Sequence, residues 1–388
     1  MAELNDYSGP FNPNLSFADF SKEFLLKLIQ VWQWAWIQLD AAFFDEVAKR
    51  SDEDTAYECD TEMWLQVAER CNPRYARIAG IALNNAVDCL KVLQLPLDNS
   101  MGSVYGSVFD IKNENLATFT VMKCPSLEWC ERNRPERIVP MCHVLEPQVI
   151  GKYKVNMDVQ LRPVKLPPRE SPDEPACSWE LRLDVPEGTR VRSKEEVVDE
   201  RTDIPELDDM SGPFYPHLTH RSFSKEFLLK MMNAWQYAWL VMAGSFYDAA
   251  RKRLGFAAAN EINEAAWTRV AQRVNPRYAK MANIQLNTVL DSLKCTQLPL
   301  DNNVGPLYPV EFDIKNENHV IMTITQCRSL LYYEREDPDM IGAVCHGFEQ
   351  KGIENYLLNP RIKVTPLKLP PRASQEDIAC RWELKMGD

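Results

Sequence analysis

The feature that most constrains this chain is an internal repeat with a period of 203 residues. Seven short motifs occur twice in the 388-residue sequence, always at that separation; SGPF at 8–11 returns at 211–214, and FDIKNEN at 109–115 returns at 312–318. This period is far longer than the roughly 20–50 residues of a solenoid repeat. The sequence therefore predicts two whole copies of one domain in tandem, which would form a pseudo-dimer within one chain.

The boundaries of the copies follow from the outermost motifs that recur. The first repeat domain is predicted to cover residues 8–183 and the second to cover residues 211–386. Residues 184–210 between them are dense in charged side chains and poor in large apolar ones, which is typical of a solvated linker.

In each copy, helical patterns come first and strand patterns follow. In the first copy the expected helices cover 20–49 and 60–95, and short helices are expected after Pro125 and near His143. The expected strands cover 104–111, 117–122, 153–165 and 177–183. This order predicts an α+β fold, in which a helical N-terminal half precedes a mainly antiparallel β-sheet with short helices.

Six of the eleven cysteines keep their position in both copies. They form three pairs: Cys124 with Cys327, Cys142 with Cys345, and Cys177 with Cys380. The other five have a different residue type at the equivalent position, so they behave as replaceable apolar residues. Two further polar residues are kept in register beside the second cysteine: His143 with His346, and Glu146 with Glu349.

Three thiolates and one oxygen or nitrogen donor suit a tetrahedral zinc ion. Glu146 lies four residues after Cys142, on the same face of a helix, so we prefer it to His143 as the fourth ligand, although the choice stays open. The predicted zinc ligands are Cys124, Cys142, Glu146 and Cys177 in the first copy, and Cys327, Cys345, Glu349 and Cys380 in the second.

Two other interpretations of the paired cysteines stay open. In the first, the cysteines, with His and Glu, only pack in the core of each copy. In the second, a thiol beside an imidazole acts as a nucleophile with its base, which makes catalytic candidates of Cys142 with His143, and of Cys345 with His346.

The first long helix of each copy is rich in tryptophan. Residues four apart lie on one face of a helix, so Trp32 and Trp36 can line one surface, which Trp64 of the second helix can approach. One interpretation is that these rings belong to the core. The other is a pocket for an apolar or aromatic small molecule, with walls formed by Trp32, Trp36, Trp64, Trp235, Trp239 and Trp267.

Charge and composition exclude several classes of function. The net charge of −12 argues against a general nucleic-acid-binding role, because phosphate contacts require a basic face. No apolar run reaches the length of about 18 residues that a transmembrane helix needs, so no membrane partner is expected. The N-terminal residues lack the pattern of a secretory signal, which leads us to expect a cytoplasmic protein with unpaired thiols.

The helical stretch 239–273, WLVMAGSFYDAARKRLGFAAANEINEAAWTRVAQR, together with the CH pair at 345–346 and the final CRWEL, resembles a bacterial and archaeal family labelled L-2-amino-thiazoline-4-carboxylic acid hydrolase-like. That resemblance implies opening of a thiazoline ring, with Cys142, His143, Glu146 and their equivalents as candidates. The order of the cysteines also resembles that of vinyl-reductase-type sensor domains, in which zinc lies beside an aromatic-lined pocket. This second resemblance implies Cys124, Cys142, Glu146 and Cys177 as zinc ligands.

These features predict a cytoplasmic tandem-domain protein that binds zinc in each copy and a small organic molecule, for instance an aromatic one, in an adjacent pocket. Two alternative functions stay open. One is a hydrolase or lyase that acts on a small thiazoline-like or amide substrate, and the other is a scaffold subunit of a larger enzyme assembly.

Overall fold

A computed structural model of the chain describes residues 3–97, 105–301 and 308–387. Residues 98–104 and 302–307 of the predicted domains lie outside these ranges, and Val104, the first residue of an expected strand, is among them. The predicted α+β class is confirmed, since the chain has two similar halves, each with helices followed by a four-stranded antiparallel sheet.

The first half begins with three helices: α1 (Lys22–Arg50), α2 (Glu53–Ile78) and α3 (Ala86–Leu93). The expected helix over 60–95 is wrong in its bounds, because it is two helices and the first of them begins earlier. Asp52 starts α2 by accepting a hydrogen bond from the backbone N–H of Thr55, and Asn85 starts α3 in the same way. Gly80, at φ +67°, lies in the connection between them.

The sheet of the first half consists of β1 (Gly106–Asn113), β2 (Leu116–Lys123), β3 (Gln160–Lys165) and β4 (Cys177–Arg182) in the order β1-β2-β4-β3. The predicted hairpin is present, and its turn closes where Asn113 pairs with Leu116. The third strand starts at Gln160 rather than at Tyr153, because Tyr153 is the last residue of a helix.

Three helical segments connect β2 to β3: α4 (Pro125–Asn133), a π-helix (Val139–Leu145) and α5 (Glu146–Tyr153). A π-helix is rare and is frequently found at functional sites. The second half has one at the equivalent position, over Ile341–Phe348. The π-helix is therefore a feature of the repeat and not of one copy.

The second half repeats this order of elements. After the short helix α6 (Lys194–Val197), it contains α7 (Lys225–Leu254), α8 (Phe256–Met281), α9 (Val289–Thr296), β5 (Val310–Asn316), β6 (His319–Ile324), α10 (Arg328–Glu336), α11 (Glu349–Leu357), β7 (Ile362–Lys368) and β8 (Cys380–Met386). Its sheet has the order β5-β6-β8-β7, which is the order of the first sheet.

The charged segment 184–210 makes specific contacts with residues of both repeats. The carboxylate of Glu114 accepts hydrogen bonds from the backbone N–H and the guanidinium of Arg192 at 3.0 and 2.6 Å. Backbone bridges join Val198 to Phe214 and Leu207 to Phe223. The boundaries of the predicted linker, 184 and 210, come from composition and stay a prediction.

The described chain divides into two compact units, and each draws on both repeats. The first unit contains Met1–Glu46 and Leu254–Asp388, and the second contains Val47–Arg253. In the first unit, the indole N–H of Trp32 donates to the carbonyl oxygen of Leu298 at 2.8 Å. In the second unit, the indole N–H of Trp235 donates to the carbonyl oxygen of Leu95 at 2.9 Å. The first helix of each repeat thus packs within the unit that holds the sheet of the other repeat.

None of the described helices combines the length and the apolar character needed to cross a membrane.

Candidate functional site

The first paired cysteine begins a helix in both copies. Cys124 is the N-cap of α4, and its sulfur accepts a hydrogen bond from the backbone N–H of Leu127 at 3.4 Å. Cys327 is the N-cap of α10 and accepts from Leu330 at 3.3 Å. A sulfur in this position faces the positive end of the helix dipole, which favours negative charge on it.

The second paired cysteine lies inside the π-helix of each copy, and the paired glutamate comes directly after that π-helix. Cys142 is buried, and Cys345 is half-buried. Glu146 is the first residue of α5, and Glu349 is the first residue of α11. The helical path continues from the cysteine to the glutamate four residues later, and the two groups are close enough for the glutamate charge to act on the thiol.

The third paired cysteine begins the central strand β4 or β8. Cys177 pairs with Val121 of β2, the strand that leads to Cys124. The sheet therefore brings the first and third cysteines to the same end of its two central strands. The sulfur of Cys177 accepts a hydrogen bond from the indole N–H of Trp179 at 3.2 Å. In the second copy, Trp382 donates to Cys380 at 3.1 Å.

These groups converge in each copy. Cys124 and Cys142 pack in one apolar cluster with Leu127 and Ala176, the neighbour of Cys177. Burial, with smaller effects from the charges of Glu146 and Cys177, raises the pKa of Cys124 to about 12. Burial also raises the pKa of Cys142, to which Glu146, Cys124 and Cys177 add.

The second copy has the same electrostatics. Burial is the main cause of a pKa of about 12 at Cys345, and Glu349 and Cys327 contribute next. The pKa of Cys380 is raised by burial and by the same two neighbours together with Cys345. We refer to the three thiols and the glutamate of each copy as the cysteine cluster. Its members all belong to one repeat and lie within one compact unit.

The cysteine cluster does not have the form of a finished metal site. Across residues 3–97, 105–301 and 308–387, no three or more His, Cys, Asp or Glu side chains are arranged to hold a metal ion. The donor types suit zinc, but their positions would have to adjust to bind it.

The paired histidines contact the loop that precedes the last strand. His143 Nε2 lies 2.6 Å from the carbonyl oxygen of Pro167, and His346 Nε2 lies 2.6 Å from that of Pro370. No hydrogen bond between either histidine and a cysteine sulfur is present in the described part of the chain. This loop begins with the repeated motif KLPPR, at 165–169 and 368–372, and we call it the KLPPR loop. The structure therefore places these rings as anchors of the KLPPR loop.

An arginine anchors the same loop from its other end. Arg169 donates two hydrogen bonds of 2.8 Å to the carboxylate of Glu131 on α4, and Arg372 does the same to Glu334 on α10. Both guanidinium side chains are almost fully buried, at 3% and 1% exposed. The loop, the helix after the first cysteine and the strand of the third cysteine are thereby tied together.

The six tryptophans of the predicted pocket are divided between the two units. Trp32 and Trp36 share the first unit with Trp267, whereas Trp235 and Trp239 share the second with Trp64. Five of them are buried, and Trp267 is half-buried. The structure places these aromatic clusters in the cores, and two surface clefts of about 650 and 1140 Å³ on the second unit are lined by none of them. The small-molecule pocket at these rings stays a prediction.

A second polar cluster, which the sequence argument missed, lies in the first unit next to the cysteine cluster. It consists of Tyr278 on α8, Asp301 after α9, Tyr308 before β5 and Tyr356 on α11. We call these four residues the Asp–Tyr cluster. The hydroxyl of Tyr356 donates a hydrogen bond to the carboxylate of Asp301, and the hydroxyls of Tyr308 and Ser329 are 3.1 Å apart.

Glu349, a member of the cysteine cluster, also interacts electrostatically with the Asp–Tyr cluster. Burial raises the pKa of its carboxyl to about 7, and the charge of Asp301 adds to the shift. Burial also raises the pKa of Asp301, against the hydrogen bond from Tyr356, which lowers it. The three tyrosines have pKa values well above 10 because they are buried, with Asp301 as a further cause at each.

Comparison with known proteins adds information on the second copy only. Residues 221–386 match a family of unknown function (DUF6125). The matched stretch contains Cys327, Cys345, Glu349 and Cys380, and it also contains the whole Asp–Tyr cluster. The match covers less than half of the chain. No curated protein and no solved structure matches the sequence.

The register of the repeat could have revealed the Asp–Tyr cluster. Each of its members has an identical residue 203 positions earlier: Tyr75, Asp98, Tyr105 and Tyr153. Asp98 lies outside the described residues. The hydroxyls of Tyr105 and Ser126 are 3.4 Å apart, and those of their equivalents, Tyr308 and Ser329, are 3.1 Å apart. A search for identical polar residues at this spacing, and not only for cysteines and their neighbours, would have found them.

Proposed function

We propose that each copy binds a zinc ion through its cysteine cluster and that the protein uses this centre to support the binding of a small organic molecule. The observation that carries the proposal is the gathering of three thiols around one carboxyl in both copies: the charge of Glu146 or Glu349 is among the causes that raise the pKa of each thiol. Several acidic groups gathered in an apolar environment are costly to ionise unless a cation joins them.

Burial keeps these thiols protonated at neutral pH, since their pKa values are about 11 or higher. A bound divalent ion reverses that preference, because metal ligation requires thiolates and releases their protons. Closure of the donors around the ion would follow the loss of those protons. This accounts for a donor set that suits zinc chemically but lacks the geometry of a metal site among the described residues.

The hydrogen bonds around the sulfurs support thiolate ligands. Two of the three sulfurs in each copy accept an N–H bond, one from a helix backbone and one from an indole. Donors of this kind stabilise sulfur that carries negative charge and hold it in position for a metal.

The resemblance to vinyl-reductase-type sensor domains supports zinc beside a small-molecule pocket. A site with three sulfur ligands and one carboxylate would be closed, which favours a structural or sensing role over hydrolysis at the metal. The thiazoline-hydrolase resemblance supports a hydrolase or lyase instead, in which Cys142 acts with His143. We rank it second, because the described hydrogen bond of His143 is to Pro167 and burial disfavours the thiolate of Cys142.

Elemental analysis of the full chain, purified without a chelator, tests the zinc proposal. We expect about two zinc ions per chain, because a closed structural site holds one ion. Cys124→Ser and Cys327→Ser should each remove about one ion. These variants should fold, because serine is a strong N-cap and its hydroxyl can accept the same backbone N–H.

Cys71→Val is the matched control, since the second copy has Val274 at that position; it should keep both ions. Fewer than about one ion in the unaltered chain, or equal loss in Cys71→Val, would refute the proposal. A role as a subunit of a larger assembly is a separate proposal, which mass measurement during size-exclusion chromatography tests. We propose no nucleic-acid or membrane partner.

A further inference from the structure

A surface cleft of about 650 Å³ lies between α2 and the π-helix Val139–Leu145, which carries Cys142. All of its lining residues belong to the second compact unit. The volume is within the range of about 300–1,000 Å³ that small-molecule sites occupy. The cleft is therefore large enough for the organic ligand of the proposed function, and one of its sides is the helix that carries a cysteine of the cluster.

Aliphatic side chains line that side of the cleft and part of the other. Val139, Pro140 and Val144 belong to the π-helix, and Leu65 belongs to α2. Val139 and Val144 are 58% and 54% exposed, so packing in the core of the unit does not explain them. Local helix stability does not explain them either, because valine is a weaker helix former than alanine. An apolar ligand would cover both side chains.

The charged residues of the cleft leave little charge for a ligand to balance. Arg253 donates hydrogen bonds to Glu58 at 2.9 Å and to Glu62 at 2.8 Å. Asp54 is exposed, so its carboxylate stays hydrated without a cation. An anionic ligand would be repelled by these carboxylates, and a cationic one would compete with Arg253 for two of them. An uncharged ligand therefore fits the cleft best.

The second copy has an ion pair at the equivalent position. Lys351 of α11 lies 2.6 Å from Glu264 of α8, and this pair joins the two helices. The residues 203 positions earlier are Gln148 and Thr61, and both line the cleft of the first copy. Their side chains are uncharged and can exchange hydrogen bonds with an amide or a hydroxyl group. The first copy thus has neutral hydrogen-bonding groups where the second has charges.

The aliphatic side of the cleft also differs between the copies. Three residues of the π-helix, Val139, Pro140 and Val144, are replaced in the second copy by Gly342, Ala343 and Gly347. The first copy is therefore more apolar here as well as less charged. Both differences favour an uncharged apolar ligand in the first copy.

We propose that the cleft between α2 and the first π-helix binds an uncharged, mainly aliphatic molecule that carries an amide or a hydroxyl group. This inference rests on the proposed function, whose organic ligand it assigns to one cleft and one chemical class. The aliphatic part would cover Val139 and Val144, and the polar group would hydrogen-bond to Thr61 or Gln148. Because Cys142 belongs to the same π-helix, one short helical segment would connect the ligand with the cysteine cluster.

Methyl NMR of the full chain, with labelled valine and leucine methyl groups, tests the proposal. The probes share a cyclohexyl group: the neutral N-cyclohexylacetamide, the cationic cyclohexylammonium and the anionic cyclohexanecarboxylate. We expect the amide to shift the methyl signals of Leu65, Val139 and Val144 with a millimolar dissociation constant, which suits a probe of about ten non-hydrogen atoms. Both ions should bind about tenfold more weakly, because a charged group loses hydration without gaining a partner.

The same titration can overturn the proposal. It is wrong if the amide leaves these signals unchanged at about 20 mM, or if either ion binds as tightly as the amide. Shifts of the same signals on dilution of the chain without any probe would show that a second copy covers the cleft, and would also overturn it.

Thr61→Glu combined with Gln148→Lys transfers the ion pair of the second copy into the cleft. This double variant should fold, because Glu264 and Lys351 form that pair in the equivalent setting, and it should weaken amide binding about tenfold. The matched control is the reverse exchange, Glu264→Thr combined with Lys351→Gln, which should leave the affinity unchanged. Full affinity in the first double variant would refute the assignment of the ligand to this cleft.

Val144→Thr tests the aliphatic side of the cleft separately. Threonine keeps the shape of valine but replaces a methyl group with a hydroxyl, so amide binding should weaken about fourfold, the effect of one buried methyl group. The control is Val164→Thr, at an exposed valine of the same unit that does not line the cleft. Equal affinities in the two variants would contradict the predicted contact with Val144.

The zinc content of the same samples separates this proposal from the metal proposal. About two zinc ions in a chain whose methyl signals do not respond to the amide would support the metal centre and overturn the cleft assignment. A response to the amide in a chain purified without zinc would support the cleft assignment and count against the metal centre.

Discussion

A single residue shows how the two copies have diverged at an otherwise equivalent core position. His220 is buried, its Nε2 has no hydrogen-bond partner in the described structure, and its ring packs edge-on against Trp235 at 5.4 Å. The first copy has Phe17 at this position, packed edge-on against Trp32 at 5.6 Å. Burial lowers the pKa of His220 to about 4. The second copy therefore contains a titratable group where the first has a hydrocarbon ring.

We expect His220→Phe to make the protein less sensitive to acid. The pKa of the folded histidine is below the unfolded value of 6.5, so its contribution to stability is present above pH 6.5 and is lost as the pH falls towards 4. The difference should be about 2 kcal/mol between pH 7.5 and pH 5. Chemical denaturation at both pH values measures it.

Phe17→His is the reciprocal variant and should add a loss of similar size in acid. An equal loss of stability on acidification in the unaltered chain and in His220→Phe would show that this histidine does not set the pH dependence.

At the scale of elements, the sequence predicted the strands of the sheet better than the geometry of the cysteine cluster. The alternation of apolar residues indicates the hairpin correctly, because side chains in a strand alternate between the two faces. The π-helices that carry Cys142 and Cys345 were not predicted, since hydrophobic periodicity does not separate an i→i+5 from an i→i+4 hydrogen-bond pattern over two turns. The sequence spacing likewise gave no indication that the histidines would bond to the KLPPR loop.

The KLPPR loop should depend strongly on its buried arginine. We expect Arg372→Lys to destabilise the protein by about 2 kcal/mol, because lysine cannot make the paired hydrogen bonds to Glu334 and leaves that carboxylate poorly compensated. Hydrogen–deuterium exchange should show faster exchange in residues 369–379 and in α10.

Arg169→Lys should have the corresponding effect in the first copy. The control is Arg335→Lys, at an exposed arginine of α10 paired with Glu336, which should change stability by less than about 0.5 kcal/mol. Similar effects in Arg335→Lys and Arg372→Lys would contradict the role assigned to the buried pair.

At the scale of the whole molecule, the repeat was evident in the sequence but the composition of the compact units was not. Trp32 donates to Leu298, and the residue equivalent to Leu298 in its own repeat is Leu95. Because the two copies carry the same motif at both positions, the sequence fits packing within a repeat and packing between repeats equally well. The contacts between arginine and aromatic rings also join residues of different repeats. The Cζ atom of Arg277 lies 3.6 Å from the ring centroid of Trp34, and that of Arg74 lies 4.7 Å from the ring centroid of Tyr237.

Trp32→Phe tests this exchange directly. The variant leaves the carbonyl of Leu298 without its buried donor, which should cost about 1–3 kcal/mol. Hydrogen–deuterium exchange should then increase in residues 289–300 of the second repeat and not in residues 86–97 of the first. Trp235→Phe should give the reverse pattern. Faster exchange in 86–97 on loss of Trp32 would contradict the described packing.

The exchanged first helices also limit how the two copies can evolve. Because Trp32 of α1 donates to Leu298, a change of size at a buried position of α1 alters the surroundings of residues in the second repeat, so compensating substitutions are expected there. Each copy is thus selected partly for its fit to the other, and neither can be replaced by an unmodified duplicate. The difference between Phe17 and His220 would then reflect selection in two different cores, since Phe17 lies in the first unit and His220 in the second.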